Sequence, residues 1–139
     1  MIIRAIVMGV GATAMMDLWN LFLKRAFGIP SLNYCLLGRW VRHMPSTFVH
    51  QSIAAASPRP WECQVGWIAH YAIGVSLAVA FVLLSGSSWL VRPTLIPALV
   101  YGLVTSVFPL FIMQPALGLG MASSRAPNPA RARLKSLAT

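Results

Sequence analysis

The sequence predicts an all-α polytopic membrane bundle with three transmembrane helices and a short interfacial amphipathic helix in the first loop. Three observations predict it. The 139 residues are 58% hydrophobic and only 9% charged, whereas a soluble domain carries about 25% charged residues. No Asp, Glu, Lys or Arg occurs between Glu62 and Arg92, nor between Arg92 and Arg125. The basic residues gather in the gaps between apolar stretches, where the positive-inside rule puts them. About 20 residues at 1.5 Å each cross the hydrocarbon core, so each uncharged stretch can hold a span. The chain reads as a single transmembrane domain over residues 1–139.

The first span is expected over residues 2–23. Arg4, the apolar run to Ala14 and the small residues Ala12-Thr13-Ala14 imitate a signal peptide. The apolar pattern, however, runs on through Leu18, Trp19, Leu21, Phe22 and Leu23 to a basic stop at Lys24 and Arg25, which favours an uncleaved helix. Gly9, Thr13, Asp17, Asn20 and Lys24 recur at intervals of three or four and share one face.

Residues 24–63 form a long loop. Pro30 ends the first helix, and Ser31 is the expected N-cap of a helix reaching about Met44. Leu36, Leu37, Trp40, Val41 and Met44 make its apolar stripe. That helix is expected along the interface, with Arg39, Arg42 and Trp40 at anionic lipid headgroups. Trp61 and Trp67 bracket the next membrane entry.

The second span is expected over 65–84, with Gly66, His70, Gly74 and Ala78 on one face suited to close helix contact. A turn over 85–93 leads to the third span, 94–113, in which Pro97 is harmless and the interior Pro109 predicts a kink. Gly102 and Ser106 offer a second small face. Residues 114–139 form a basic tail.

With three spans, Arg4 and Arg92 fall on one side. Lys24, Arg25, Arg39, Arg42, Arg59, Arg125, Arg131, Arg133 and Lys135 fall on the other. This bias puts the loop and tail in the cytoplasm. The net charge of +9 is thereby accounted for without nucleic acid, and no reader motif accompanies it. Cys35 and Cys63 lie in that loop, in a reducing compartment, so a structural disulfide is not expected. Their spacing with His43 and His50 matches no zinc pattern. Neither a metal nor another cofactor is expected.

Asp17 is the sharpest feature. A charged residue at the centre of a span costs about 2.5–3.5 kcal/mol on insertion scales, so it faces protein or water by default. It lies roughly 9 Å from the loop end of its helix, and His70 lies roughly 7.5 Å from the same side. Adjacent antiparallel helices could therefore bring them together. Such a pair can hold or pass a proton, or can simply fix helix packing. Thr13, Asn20 and Gln114 are candidate supporting polar groups. Asp17 could instead pair with Lys24 or a loop arginine. Glu62 is expected to pair with Arg59 or to cap the second helix.

No Walker A loop, GxSxG elbow, HExxH or GxGxxG occurs, so a standard catalytic signature is not indicated. Three function classes remain. The first is a structural, assembly or interaction protein, acting as a homo-oligomer or with another membrane protein. The second is a proton-linked small-solute carrier or channel using Asp17 and His70. The third is a lipid- or quinone-directed membrane enzyme. The lack of catalytic motifs places the structural class foremost.

Met16-Asp17-Leu18-Trp19, Gly38-Arg39-Trp40, His43-Met44, Glu62, Gly66-Trp67, His70-Tyr71, Gln114-Pro115 and Pro127-Asn128-Pro129 occur in order along the chain. Together they resemble a family of small bacterial membrane proteins known as domain of unknown function 2938. The resemblance implies a polytopic inner-membrane protein and supplies no catalytic residues. It also implies a fourth apolar helix after the basic segment, so the chain, ending at Leu134-Lys135-Ser136-Leu137-Ala138-Thr139, looks shortened beside it.

Overall fold

The computed structural model describes residues 2–29, 33–121, 124–125 and 130, and every regular element among them is helical. Helix α1 spans Ile2–Phe27 and α2 spans Tyr34–His43. After a 3-10 turn at Ile53–Ala55, α3 spans Glu62–Ser85, and a second 3-10 turn covers Ser87–Leu90. The last long segment begins with α4, Leu95–Thr105. Ile2–Phe27, Glu62–Ser85 and Leu95–Ala116 are long and apolar enough to cross a membrane. All three occupy the expected places. The first two run a few residues further than the apolar pattern alone suggests, because helical hydrogen bonding continues into the polar ends.

Helix α1 carries Lys24 and Arg25 in its last turn, where cations oppose the helix dipole. It buries Ala5, Gly9, Thr13, Asn20 and Leu23, largely the small and polar face picked out above. The partner is α3. A Cβ placed on Gly9 would meet Val75 and Ala78, and one on Gly74 would overlap the Thr13 side chain. The Thr13 hydroxyl donates to the Gly9 carbonyl at 2.8 Å, so a hydroxyl facing another helix has its hydrogen bond within its own.

Helix α2 starts differently from the expectation. The Asn33 side chain caps it, accepting from the Cys35 N–H at 3.0 Å; Ser31 lies outside the described residues. The buried positions are Tyr34, Leu37, Gly38, Trp40 and His43. They pack on α3, on Ile53 and on Ala116 and Leu117 at the end of the third span. Two backbone bonds tie that span end to the loop, His50 N–H to the Ala116 carbonyl at 2.9 Å and Ile53 N–H to the Leu117 carbonyl at 3.1 Å.

α2 crosses α3 at two glycines. A Cβ on Gly38 would overlap the Glu62 carbonyl, and a Cβ on Gly66 would overlap the Tyr34 carbonyl. Only glycine at both positions lets the two backbones come this close. The crossing brings the Cα atoms of Cys35 and Cys63 to 3.9 Å, and their sulfurs are bonded. This corrects the expectation of unpaired cysteines. That expectation rested on compartment, whereas the pairing follows from the helix crossing.

The interior Pro109 has a local remedy. Residues Pro109–Met113 form a π-helical stretch, closed by the Gln114 N–H on the Pro109 carbonyl. Proline supplies no N–H, and the wider repeat absorbs the mismatch within the helix. At the opposite end of the bundle, Ala5, Phe81 and Val82 form a second core with Trp89 and Tyr101 packed around it. The Tyr101 hydroxyl donates to the Leu77 carbonyl at 2.9 Å, joining the third span to α3.

Candidate functional site: a carboxylate knot between helices

Asp17 projects from α1 toward α2 and α3. Its Oδ1 accepts from the Tyr34 hydroxyl at 2.8 Å and lies 3.1 Å from His70 Nε2. Its Oδ2 accepts from the Tyr71 hydroxyl at 3.1 Å. An ionised carboxylate only accepts, so the contact favours the His70 tautomer with its proton on Nε2. Side-chain exposure is 11% for His70 and 18% for Asp17, and that little water makes the donors necessary. The depth matching that places the two residues at one level is thus realised as a direct contact.

An aromatic wall backs the carboxylate. The Tyr34 ring stacks on His70 with centroids 4.2 Å apart and lies 4.5 Å from Trp67. Burial, followed by the hydrogen bond to Asp17 and that carboxylate's charge, pushes the Tyr34 hydroxyl pKa up. Tyr34 therefore stays a neutral donor at physiological pH. The Asn20 amide also reaches Tyr34. Its Oδ1 is buried without a hydrogen-bond partner among the described residues, which costs about 1–3 kcal/mol. Thr13 lies one turn along α1 against Gly74. Gln114 is buried at the end of the third span, beside the Ala116 and Leu117 that meet α2.

Tyr34 and Tyr71 are the members that sequence reasoning missed. Tyr71 adjoins His70 inside a span and could have been found by asking which neighbours could donate to Asp17. Tyr34 lies in the loop, and nothing local signals that its hydroxyl returns to α1.

A second polar cluster holds the other side of the crossing. Arg39 and Glu62 form a bidentate pair, Nε to Oε2 at 2.9 Å and Nη2 to Oε1 at 2.7 Å. Arg39 Nη1 also donates to the carbonyls of Ala54 and Ala56, each at 3.1 Å. The pairing, through hydrogen bonding to Glu62, raises the Arg39 pKa further. Glu62 Oε2 accepts from the Arg59 backbone N–H at 3.0 Å, so Arg59 contributes its main chain while Arg39 supplies the charge. Trp40 is buried and its indole N–H donates to the Phe48 carbonyl at 2.8 Å. Arg39 and Trp40, expected at lipid headgroups, thus have partners within the protein, because the α2 stripe is covered by α3 and the loop. Arg42 is exposed.

Among the described residues these features define an all-helical protein with three helices able to cross a membrane and a carboxylate-centred polar knot where α1, α2 and α3 meet. Residues 6–139 match the family described as protein of unknown function (DUF2938), and the chain belongs to it. No curated protein and no solved structure matches the chain.

Proposed function

We propose that the chain is a bacterial inner-membrane protein with a structural, assembly or interaction role, its loop 24–63 and basic tail in the cytoplasm. The observation that carries this reading is the engagement of Asp17 by three side chains: Tyr34 from α2 and His70 and Tyr71 from α3 all turn to one carboxylate of α1. Three donors from two other helices make a tether. A transport site would have to release some of those donors to a passing solute. The basic bias of loop and tail supports the orientation, and the exposed Arg42 supports contact with anionic headgroups. A three-span unit encloses little volume, which favours work as a homo-oligomer or with another membrane protein.

The Asp17–His70 contact also supports a second reading, a proton-linked carrier or channel. Reconstitution into liposomes containing a pH-sensitive dye separates the two. The structural reading expects no pH-dependent flux, and a loss of thermal stability in Asp17→Asn. A proton flux abolished by Asp17→Asn, with the helical fold intact, would replace it with the second.

A further inference from the structure

The disulfide lies at a place built to bring two sulfurs together and between both polar clusters. Its partners are the only two cysteines in the chain. Each stands in the first turn of its helix, three residues ahead of a crossing glycine: Cys35-Leu36-Leu37-Gly38 in α2 and Cys63-Gln64-Val65-Gly66 in α3. Gly38 and Gly66 allow the close backbone approach at the crossing, and the Arg39–Glu62 pair joins the same two helices independently of the bond, which favours the sulfurs staying near each other when it opens. Cys35 follows Tyr34, whose hydroxyl is on Asp17, and Cys63 follows Glu62, whose carboxylate holds Arg39. Both cysteines are partly exposed, and the first turn of a helix favours a thiolate.

The segment 24–63, which contains both cysteines, also carries Lys24, Arg25, Arg39, Arg42 and Arg59, the charge that argues for a cytoplasmic location. A disulfide there meets a pool of reducing thiols. We propose that Cys35–Cys63 is a redox-reversible clasp, opened by a cytoplasmic dithiol and closed under oxidising conditions, which sets how firmly α2 holds Tyr34 on Asp17. This inference rests on the cytoplasmic placement of the loop.

The exchange balances without a further reactant. A thiolate of the dithiol attacks one sulfur, breaking the Sγ–Sγ bond and forming a mixed disulfide. The second thiol of the reductant then displaces the protein sulfur and leaves as an oxidised disulfide. Two electrons and two protons pass to Cys35 and Cys63. Closure under an oxidant such as diamide runs the other way, with the diazene reduced to the hydrazine.

The test uses the full chain in growing cells, quenched with acid and then alkylated under denaturing conditions with a mass-tagged maleimide. Two free thiols are expected before diamide, none after it, and two again once diamide is removed. Persistent pairing in growing cells, or thiols that fail to pair under diamide, would overturn the clasp. Accessibility of Ser57→Cys to an impermeant maleimide, in a chain with Cys35→Ser and Cys63→Ser, separates the two possible failures. If Ser57→Cys is shielded, persistent pairing rejects the clasp and leaves the orientation intact. If it is labelled, the orientation fails and the clasp with it.

A second measurement reads the link to Asp17. In purified protein in lipid nanodiscs, dithiothreitol is expected to lower the unfolding temperature by several degrees and to shrink the penalty of Tyr34→Phe about twofold. These shifts should vanish in Cys35→Ser. Equal Tyr34→Phe penalties in both redox states would overturn the coupling.

Discussion

Asp17 shows how one residue can organise a membrane helix packing. Its cost within a span demands partners, and the fold supplies a histidine and two phenols. Asp17→Ala leaves those donors facing apolar surroundings, and His70→Ala leaves the carboxylate short of one bond. The two changes should therefore be non-additive in thermal unfolding, with a coupling of about 0.6 kcal/mol, the average for interhelical polar contacts in bilayers, and at most about 1.7 kcal/mol. Purely additive losses would show that the 3.1 Å contact carries no energy. Tyr34 predicts a pH effect with a definite sign. Its raised folded-state pKa means that its contribution is fully present below the ordinary tyrosine range, near pH 10, and is lost as pH climbs above it, because the unfolded chain releases the proton first. Alkaline unfolding should then be less steep in Tyr34→Phe, and an identical slope would remove Tyr34 from the knot. Asp17 and His70 were legible because ionisable residues are rare in apolar runs. Tyr34 was not, since a loop tyrosine carries no signal of its tertiary partner.

At the level of elements, the α2–α3 crossing is the most constrained feature. Gly66→Ala places a methyl into the Tyr34 carbonyl, so the helices must separate. A loss of about 1–3 kcal/mol is expected, as for other overpacked sites, together with slower re-formation of the Cys35–Cys63 bond after reduction. Unchanged stability and unchanged re-oxidation would refute the tight crossing. The small face of α3 was readable from its four-residue spacing, and the amphipathic α2 from its apolar stripe. What that stripe packs against was not readable, since the same pattern serves a lipid surface and a protein groove equally. Its burial against α3 and the span end is what turns Arg39 toward Glu62. Pro109 was readable as a disruption, while its form, a π-helical stretch, depended on how the neighbouring carbonyls found donors.

For the whole molecule, the charge asymmetry makes the strongest statement about orientation. In a chain with Cys35→Ser and Cys63→Ser, an impermeant maleimide applied to intact cells should label Ser88→Cys, in the short turn, and spare Ser57→Cys, in the long loop. The reverse pattern would invert the topology. The places and approximate limits of the helices that, among the described residues, are long and apolar enough to cross a membrane, and the scarcity of charge within them, were determined by the sequence alone, because burial in hydrocarbon imposes length and composition on every span independently of its neighbours. The partners of the polar residues were decided only by the tertiary structure. Tyr34, Cys35, Arg39 and Glu62 lie far along the chain from the groups they meet, or share with many other residues the chemistry needed to meet them. Their pairing became definite only when Gly38 and Gly66 let α2 settle onto α3.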